Sequence, residues 1–173
     1  MKHLTKVILL VAALGASACT NPGRFDSDAA SGRSGTSLDQ SGIVPGSAND
    51  PQSVAYFNQT VGDRVLFAVD QSTLSDEGRT VLTGQARWLI DNRDYTAIIE
   101  GHADEQGTRE YNLALGARRA NAVQEFLISQ GISGSRLRTV TYGKERPLEV
   151  CSEEACYAKN RRAVTVLATG ALS

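Results

Sequence analysis

Residues 101–123 read GHADEQGTREYNLALGARRANAV. The apolar run just before them, Thr96–Glu100, predicts a β-strand that ends at Gly101. Thr108 is placed to cap a following helix and Gly131 to end it. Polar and charged side chains therefore lie between a predicted strand and a predicted helix, where α/β sheets tend to bind their ligands.

The flanking sequence predicts further helices and strands in alternation. They are a short helical turn at Ser53–Thr60, a strand at Val65–Phe67, a helix at Asp76–Asp91 capped by Ser75, a strand at Leu137–Tyr142, a helix that starts at Ser152, and a final strand at Ala163–Leu167. The buried faces of the two long helices are predicted to carry Val81, Leu82, Ala86, Leu89 and Ile90, and Leu115, Ala122, Val123, Phe126 and Leu127. The order βαβαβαβ predicts an α/β fold with helices packed on one sheet.

The composition excludes several classes of protein. Of 173 residues, 41% are apolar and 21% are charged, which is enough apolar side chain to build a core and excludes wholesale disorder. Basic and acidic residues number 18 and 19, so the chain lacks the basic surplus of a nucleic-acid binder. No uncharged apolar run reaches about 18 residues, which excludes a multi-span membrane protein. With only 3 cysteines, the chain is not a disulfide-dense scaffold.

The N-terminus has the anatomy of a secretory signal, predicted to span residues 1–18. A short positive region precedes the apolar run Val7–Leu14, and small residues follow. The site ends on Cys19 and resembles the lipobox of bacterial lipoproteins, in which this cysteine becomes acylated. Thr20 in place of Asp then implies the outer membrane. An ordinary signal peptide with an incidental cysteine is the alternative.

A flexible linker is predicted to follow the signal. Residues 19–52 are rich in Gly, Ser and Pro and poor in large apolar side chains, so they cannot offset the entropy of an ordered chain. As a coil this stretch would span roughly 30 Å. Residues 53–170 are predicted to form the globular domain. The linker then tethers a lipid anchor to a folded domain, although a passive spacer is the alternative.

One candidate binding site combines a loop with a helix face. Asn112, Leu115 and Arg119 recur at i, i+3 and i+7 and so share one face of the predicted helix. Asp104, on the preceding loop, is suited to accept from an ammonium, and Arg119 to donate a fork to a carboxylate. An amino-acid zwitterion fits both groups. The alternative is that Asp104 and Arg119 pair only with each other.

A metal site is the competing interpretation of the same loop. His102, Asp104 and Glu105 are all ligand types, and they would suit a periplasmic metal-dependent hydrolase. Their spacing is poor for such a site, and no G-x-S-x-G nucleophile motif is present. We therefore expect no metal, and we expect His102 to be a strand-end residue with its hydrogen bonds satisfied.

Cys151 and Cys156 are predicted to form a disulfide. They are the cysteines left after the signal and Cys19, and the periplasm is oxidising. Zinc is the alternative, but two thiolates without a nearby His do not complete a tetrahedral site.

Three blocks, GHADEQGTREYNLALGARRANAV, VTYGKERP and AKNRRAVTVL, closely resemble the OmpA C-terminal-like family over roughly Val61–Leu167. The resemblance implies a mixed four-stranded sheet with helices packed on it. It also implies non-covalent binding of the meso-diaminopimelate in peptidoglycan stem peptides, with no enzymatic activity and no cofactor.

The resemblance also implies which residues bind. Asp104 and Arg119 match the family acid and arginine, and Asn112 matches the motif asparagine. Asp70 matches the acid of the first-strand motif, in which Ala68 and Val69 replace a common Asp and Phe. Arg162 matches a further arginine on the ligand side. The predicted peptidoglycan-binding set is Asp70, Asp104, Asn112, Leu115, Arg119 and Arg162.

The lipobox, linker and domain together resemble members of this family that act in the Tol-Pal system. The resemblance implies TolB as a periplasmic partner, an outer-membrane anchor facing the periplasm, and roles in envelope integrity and in constriction of the outer membrane at division. The alternative is a wall-anchoring lipoprotein of the same family outside that system.

Overall fold

The computed structural model describes residues 43–170, all within the unit Asp39–Ser173. The strands are β1 (Arg64–Leu66), β2 (Tyr95–His102), β3 (Leu137–Gly143) and β4 (Arg162–Thr169). The helices are α1 (Val54–Tyr56), which continues as a π-helix (Phe57–Gly62), α2 (Asp76–Asp91), α3 (Arg109–Ser129), a 3₁₀ turn (Gly134–Arg136) and α4 (Glu154–Asn160). The predicted signal and the lipidation of Cys19 lie outside the described residues.

The four strands form one mixed sheet in the order β1-β4-β2-β3. β4 is antiparallel to both β1 and β2, and β2 is parallel to β3. This sheet confirms the predicted βαβαβαβ fold with a mixed four-stranded sheet. Since β2 lies inside the sheet, the loop that leaves its carboxyl end is held by strands on both sides.

Helix α2 has the bounds that its sequence predicts. The Ser75 hydroxyl accepts from the backbone N–H of Gly78 at 3.1 Å, and acidic residues occupy the first turn, where they complement the helix dipole. The predicted buried face differs at its end, because Ile90 is 41% exposed while Trp88 is buried. The indole packs between the rings of Phe57 and Tyr95, with both centroids 5.0 Å away, and neither ring belongs to α2.

Helix α3 lies on β2 at very close range and positions the site. Thr108 caps the helix as predicted, its hydroxyl accepting from the N–H of Tyr111 at 3.2 Å. Gly101 of β2 and Gly116 of α3 face each other backbone to backbone. This approach brings the first turns of α3 against the loop after β2.

The segment before β4 is closed by a disulfide between Cys151 and Cys156. The predicted helix start at Ser152 is wrong by two positions, since α4 begins at Glu154. Its N-cap is Glu153, whose side chain makes no capping hydrogen bond. The disulfide spans this start, so the covalent loop rather than a serine cap orders the first turn.

Residues upstream of the predicted domain start also pack on the fold. The Trp88 indole N–H donates to the carbonyl of Pro51 at 2.7 Å, and the Tyr95 hydroxyl to that of Gln52 at 3.2 Å. Ser53 reaches back to the Ser47 carbonyl at 2.6 Å. These bonds, two of them to residues about 40 positions away, hold the end of the predicted linker, and its boundary at residue 52 stays a prediction. None of the helices between residues 43 and 170 is long and apolar enough to cross a membrane.

Candidate functional site

A pocket of about 300 Å³ opens where the loop after β2 meets the first turns of α3. It is lined by Val69, Asp70, Asp104, Gln106, Gly107, Tyr111, Asn112, Leu115 and Arg119. Five of the six predicted binding residues therefore lie together. The structure brings the first-strand motif, the loop and the helix face to one place.

Asp104 lies on the loop wall of the pocket and is buried. One carboxylate oxygen accepts from Arg161 Nη1 at 3.1 Å, and the other accepts from the N–H of Gln106 at 3.3 Å. A carboxylate offers about four acceptor positions, so these two bonds leave room for a ligand donor. The carboxylate is thus held in place without being saturated.

Arg119 is fully buried at the base of the pocket. Its guanidinium donates to the carbonyls of Gln71 at 2.8 Å, His102 at 2.8 Å and Ala68 at 3.2 Å. Burial lowers its pKa to about 10, with Asp104 opposing that shift, so it stays charged at neutral pH. Three of its five N–H groups are used in these bonds, which leaves two for a ligand.

This geometry decides against one alternative for Arg119 and shows what the residue holds together. Its partners are backbone carbonyls and the partner of Asp104 is Arg161, so the alternative of an Asp104–Arg119 pair is wrong among the described residues. The core depends on this helix face. Arg119 joins the end of β2 to the segment after β1, and the guanidinium lies 5.2 Å from the centre of the Phe67 ring.

Asn112 and Leu115 shape the pocket rather than project into it. Asn112 is buried and donates to the carbonyl of Gln106 at 2.7 Å, which pins the loop to the helix. Gly107, with φ of 90°, lets the chain turn between them into α3. Leu115 is 4% exposed and forms an apolar floor.

Asp70 forms the opposite rim and has a strained backbone. Its φ of 56° is the one positive value among non-glycine residues in the described range. The Tyr111 hydroxyl donates to its carboxylate, and Val69 beside it is 55% exposed. Sequence reasoning missed Tyr111, which supplies an aromatic wall where Val69 lacks a ring. The sequence indicated this role in one way only, because Tyr111 directly precedes Asn112 in the predicted helix.

Arg162 does not line the pocket, contrary to the prediction. Its guanidinium donates to the carbonyls of Asn160 at 3.3 Å and Arg146 at 3.2 Å. Side chains alternate between the two faces of a strand, and Arg162 lies on the face that carries Glu100 and His102. The arginine that reaches Asp104 is its neighbour, Arg161.

The proposed metal ligands do not converge. Asp104 pairs with Arg161, and Glu105 accepts from the amide of Asn160 at 2.8 Å. His102 is buried on the sheet, with Nε2 3.5 Å from Glu100. Within residues 43–170 no group of three or more His, Cys, Asp or Glu side chains is arranged to hold a metal ion.

His102 differs from the expected satisfied residue, since neither ring nitrogen has a hydrogen-bond partner. Its side chain is buried against the Tyr142 ring. Burial, and next the charges of Arg162 and Arg146, lower its pKa to about 4. The ring is therefore neutral in the folded protein at neutral pH.

Acid should destabilise the fold through His102. Between pH 6.5 and 4 the unfolded chain binds a proton on this ring that the folded chain does not, so the free energy of unfolding falls as the pH falls. The loss attributable to His102 is about 3 kcal/mol across that window. Urea unfolding at several pH values, compared with a His102→Phe variant, measures it. Parallel pH profiles for the two proteins would contradict this assignment.

Comparison with known proteins agrees with the fold. Residues 66–161 match the OmpA family. A peptidoglycan-associated lipoprotein of Mesorhizobium japonicum is 45% identical over 161 residues, covering 93% of this chain and 90% of the relative. The crystal structure of the peptidoglycan-associated lipoprotein from Burkholderia pseudomallei, 34% identical, gives a TM-score of 0.64 and covers 69% of this chain and 100% of that one.

A more distant structure shares the fold alone. The C-terminal domain of Helicobacter pylori MotB is 19% identical, with a TM-score of 0.58, and covers 62% of this chain and 85% of that domain.

The class defined by this fold and pocket is an α/β domain with a charged pocket at the end of its second strand. The chain belongs to the OmpA family and, within it, to the peptidoglycan-associated lipoproteins. These are structural proteins and not enzymes, so the hydrolase alternative is wrong.

Proposed function

We propose that the pocket binds the side-chain end of meso-diaminopimelate in peptidoglycan stem peptides. One observation carries the proposal: two carboxylates, Asp70 and Asp104, and the guanidinium of Arg119 line the same pocket of about 300 Å³. An ammonium and a carboxylate on one carbon of the ligand complement the two carboxylates and the guanidinium, respectively. The names of the relatives, peptidoglycan-associated lipoproteins, support the wall as the source of that ligand.

The orientation of the ligand follows from the charges. Asp104 accepts from the ammonium, with Asp70 on the rim, and the two unused N–H groups of Arg119 donate to the carboxylate. In a lysine-type stem peptide this carboxylate is missing, and Arg119 would lack its partner. Hydrogen bonds to charged groups contribute roughly 1.5–3 kcal/mol each, so the pocket should discriminate between the two wall types.

The proposed cellular role follows from this binding to the cell wall. We propose that Cys19 is lipidated and anchors the chain in the outer membrane, with the domain facing the periplasm. The chain then tethers that membrane to the cell wall within the Tol-Pal system, with TolB as a partner, and supports envelope integrity and constriction at division. The lipobox pattern before Cys19 and the lipoprotein names of the relatives support the anchor.

Binding to purified sacculi tests the pocket. The full chain in detergent should cosediment with sacculi that contain meso-diaminopimelate and be displaced by the free amino acid. Lysine-type walls should retain it roughly tenfold less well. Asp70→Asn should weaken binding by a similar factor without unfolding the chain, because asparagine tolerates a positive φ and the site is exposed.

A matched control removes a carboxylate elsewhere. Asp94→Asn changes an exposed aspartate away from the pocket, so its affinity should equal that of the unchanged chain. Equal retention by both wall types, or no effect of the free amino acid, would contradict the proposed ligand.

A further inference from the structure

We propose that Arg161 is a positioning residue for the ligand-binding carboxylate of Asp104, and that Glu154 holds Arg161 in place. The inference rests on the proposed function, since it concerns how Asp104 meets the ammonium of diaminopimelate. Neither Arg161 nor Glu154 contacts the ligand in the proposed binding mode, so the inference gives both residues an indirect role.

Arg161 approaches Asp104 from behind the pocket. Its Nη1 donates to the carboxylate at 3.1 Å, yet Arg161 is absent from the residues that line the cavity. Its side chain is 6% exposed, and its Nε donates to the carbonyl of Phe67 at 3.2 Å. The backbone N–H of Phe67 donates in turn to the Arg161 carbonyl at 2.8 Å, so the residue is held at the junction of β1 and β4.

Glu154 holds the other side of the same guanidinium. Its carboxylate accepts from both terminal nitrogens of Arg161. These contacts with Glu154 and Asp104 outweigh the effect of burial and raise the pKa of Arg161. Because one cation is shared by two carboxylates, the three groups together keep a negative charge, which Asp104 presents to the pocket.

Glu154 is itself placed by covalent structure. It opens helix α4 and lies inside the loop closed by the Cys151–Cys156 disulfide. At the other end of α4, Asn160 donates to Glu105, the residue after Asp104. The helix therefore braces the binding loop at two points, through Arg161 and through Asn160.

The first test is a pair of variants measured for sacculus binding. Arg161→Met should weaken binding roughly tenfold, because it frees the Asp104 carboxylate to rotate away from the pocket. That change also leaves a buried charge unpaired, so the variant carries a risk to folding. Glu154→Gln avoids this risk because its side chain is 66% exposed, and it should weaken binding about threefold.

A double-mutant cycle separates positioning from general stability. If the two residues act through the carboxylate, neither change should weaken binding further once Asp104 is Asn. Lys159→Met is the control, since it removes a cation of the same helix whose partner is the exposed Glu149. Its affinity should equal that of the unchanged chain.

Three outcomes would overturn the inference. Full affinity in a folded Glu154→Gln protein would show that Arg161 needs no second partner. Equal losses in the presence and absence of the Asp104 carboxylate would show a structural role only, while leaving the proposed function intact. No sacculus binding by the unchanged chain would remove the proposed function and this inference together.

Discussion

Replacing Gly101 by Ala should destabilise the domain by about 4 kcal/mol or more, above the usual cost of overpacking a core. A Cβ at this position would overlap the carbonyl oxygen of Gly116 and lie 3.2 Å from the Cβ of Ala120. Both obstacles belong to α3, and the first is backbone, which cannot rotate away. The helix would have to rise from the sheet and open the core beneath it.

Circular dichroism and urea unfolding of the purified variant measure this loss. Gly84→Ala in α2 is the matched control, because its Cβ would meet only Val61 at the ordinary distance of 3.5 Å. That change should stabilise the domain by roughly 0.5–1 kcal/mol, since alanine favours a helix over glycine. A Gly101→Ala protein as stable as Gly84→Ala would refute the close approach.

Arg119→Ala should destabilise the domain by about 4 kcal/mol or more. The variant loses three charge-assisted hydrogen bonds to the carbonyls of Ala68, Gln71 and His102. It removes this donor from the carbonyls of Gln71 and His102, while that of Ala68 keeps the backbone N–H of Gln71, and it opens a cavity under the Phe67 ring. Arg119→Lys keeps the charge but not the planar fork, and its loss should be intermediate.

The neighbouring arginine offers a control for Arg119. Arg118 is exposed, and its guanidinium lies 5.9 Å from the centre of the Tyr111 ring. Arg118→Ala should therefore shift the urea midpoint little. If the two alanine variants unfolded at the same midpoint, the three carbonyl bonds would contribute nothing measurable to stability.

These bonds change how the binding site must be tested. Loss of sacculus binding in Arg119→Ala would reflect unfolding as well as a missing carboxylate partner. Variants on the rim, such as Asp70→Asn, separate the two effects because the exposed side chain is not part of the core. The same guanidinium both joins distant segments of the fold and lines the pocket in which we propose that the ligand binds.

Local patterns in the sequence determined the elements and most of the pocket. Helix α2 was predictable to the residue because a serine cap, acidic first turn and apolar spacing all depend on neighbours within a few positions. The i, i+3 and i+7 spacing placed Asn112, Leu115 and Arg119 on one face for the same reason. Family resemblance added Asp70, which no local pattern connects to that helix.

Only the tertiary structure decided what each charged side chain contacts. Arg161 rather than Arg162 meets Asp104 because a one-residue step along a strand reverses the face, and the register of β1 on β4 sets which face that is. Arg119 is buried because segments far away in sequence supply its three acceptors. Such contacts depend on how the strands and α3 pack, and the spacing of residues along the chain does not determine that packing.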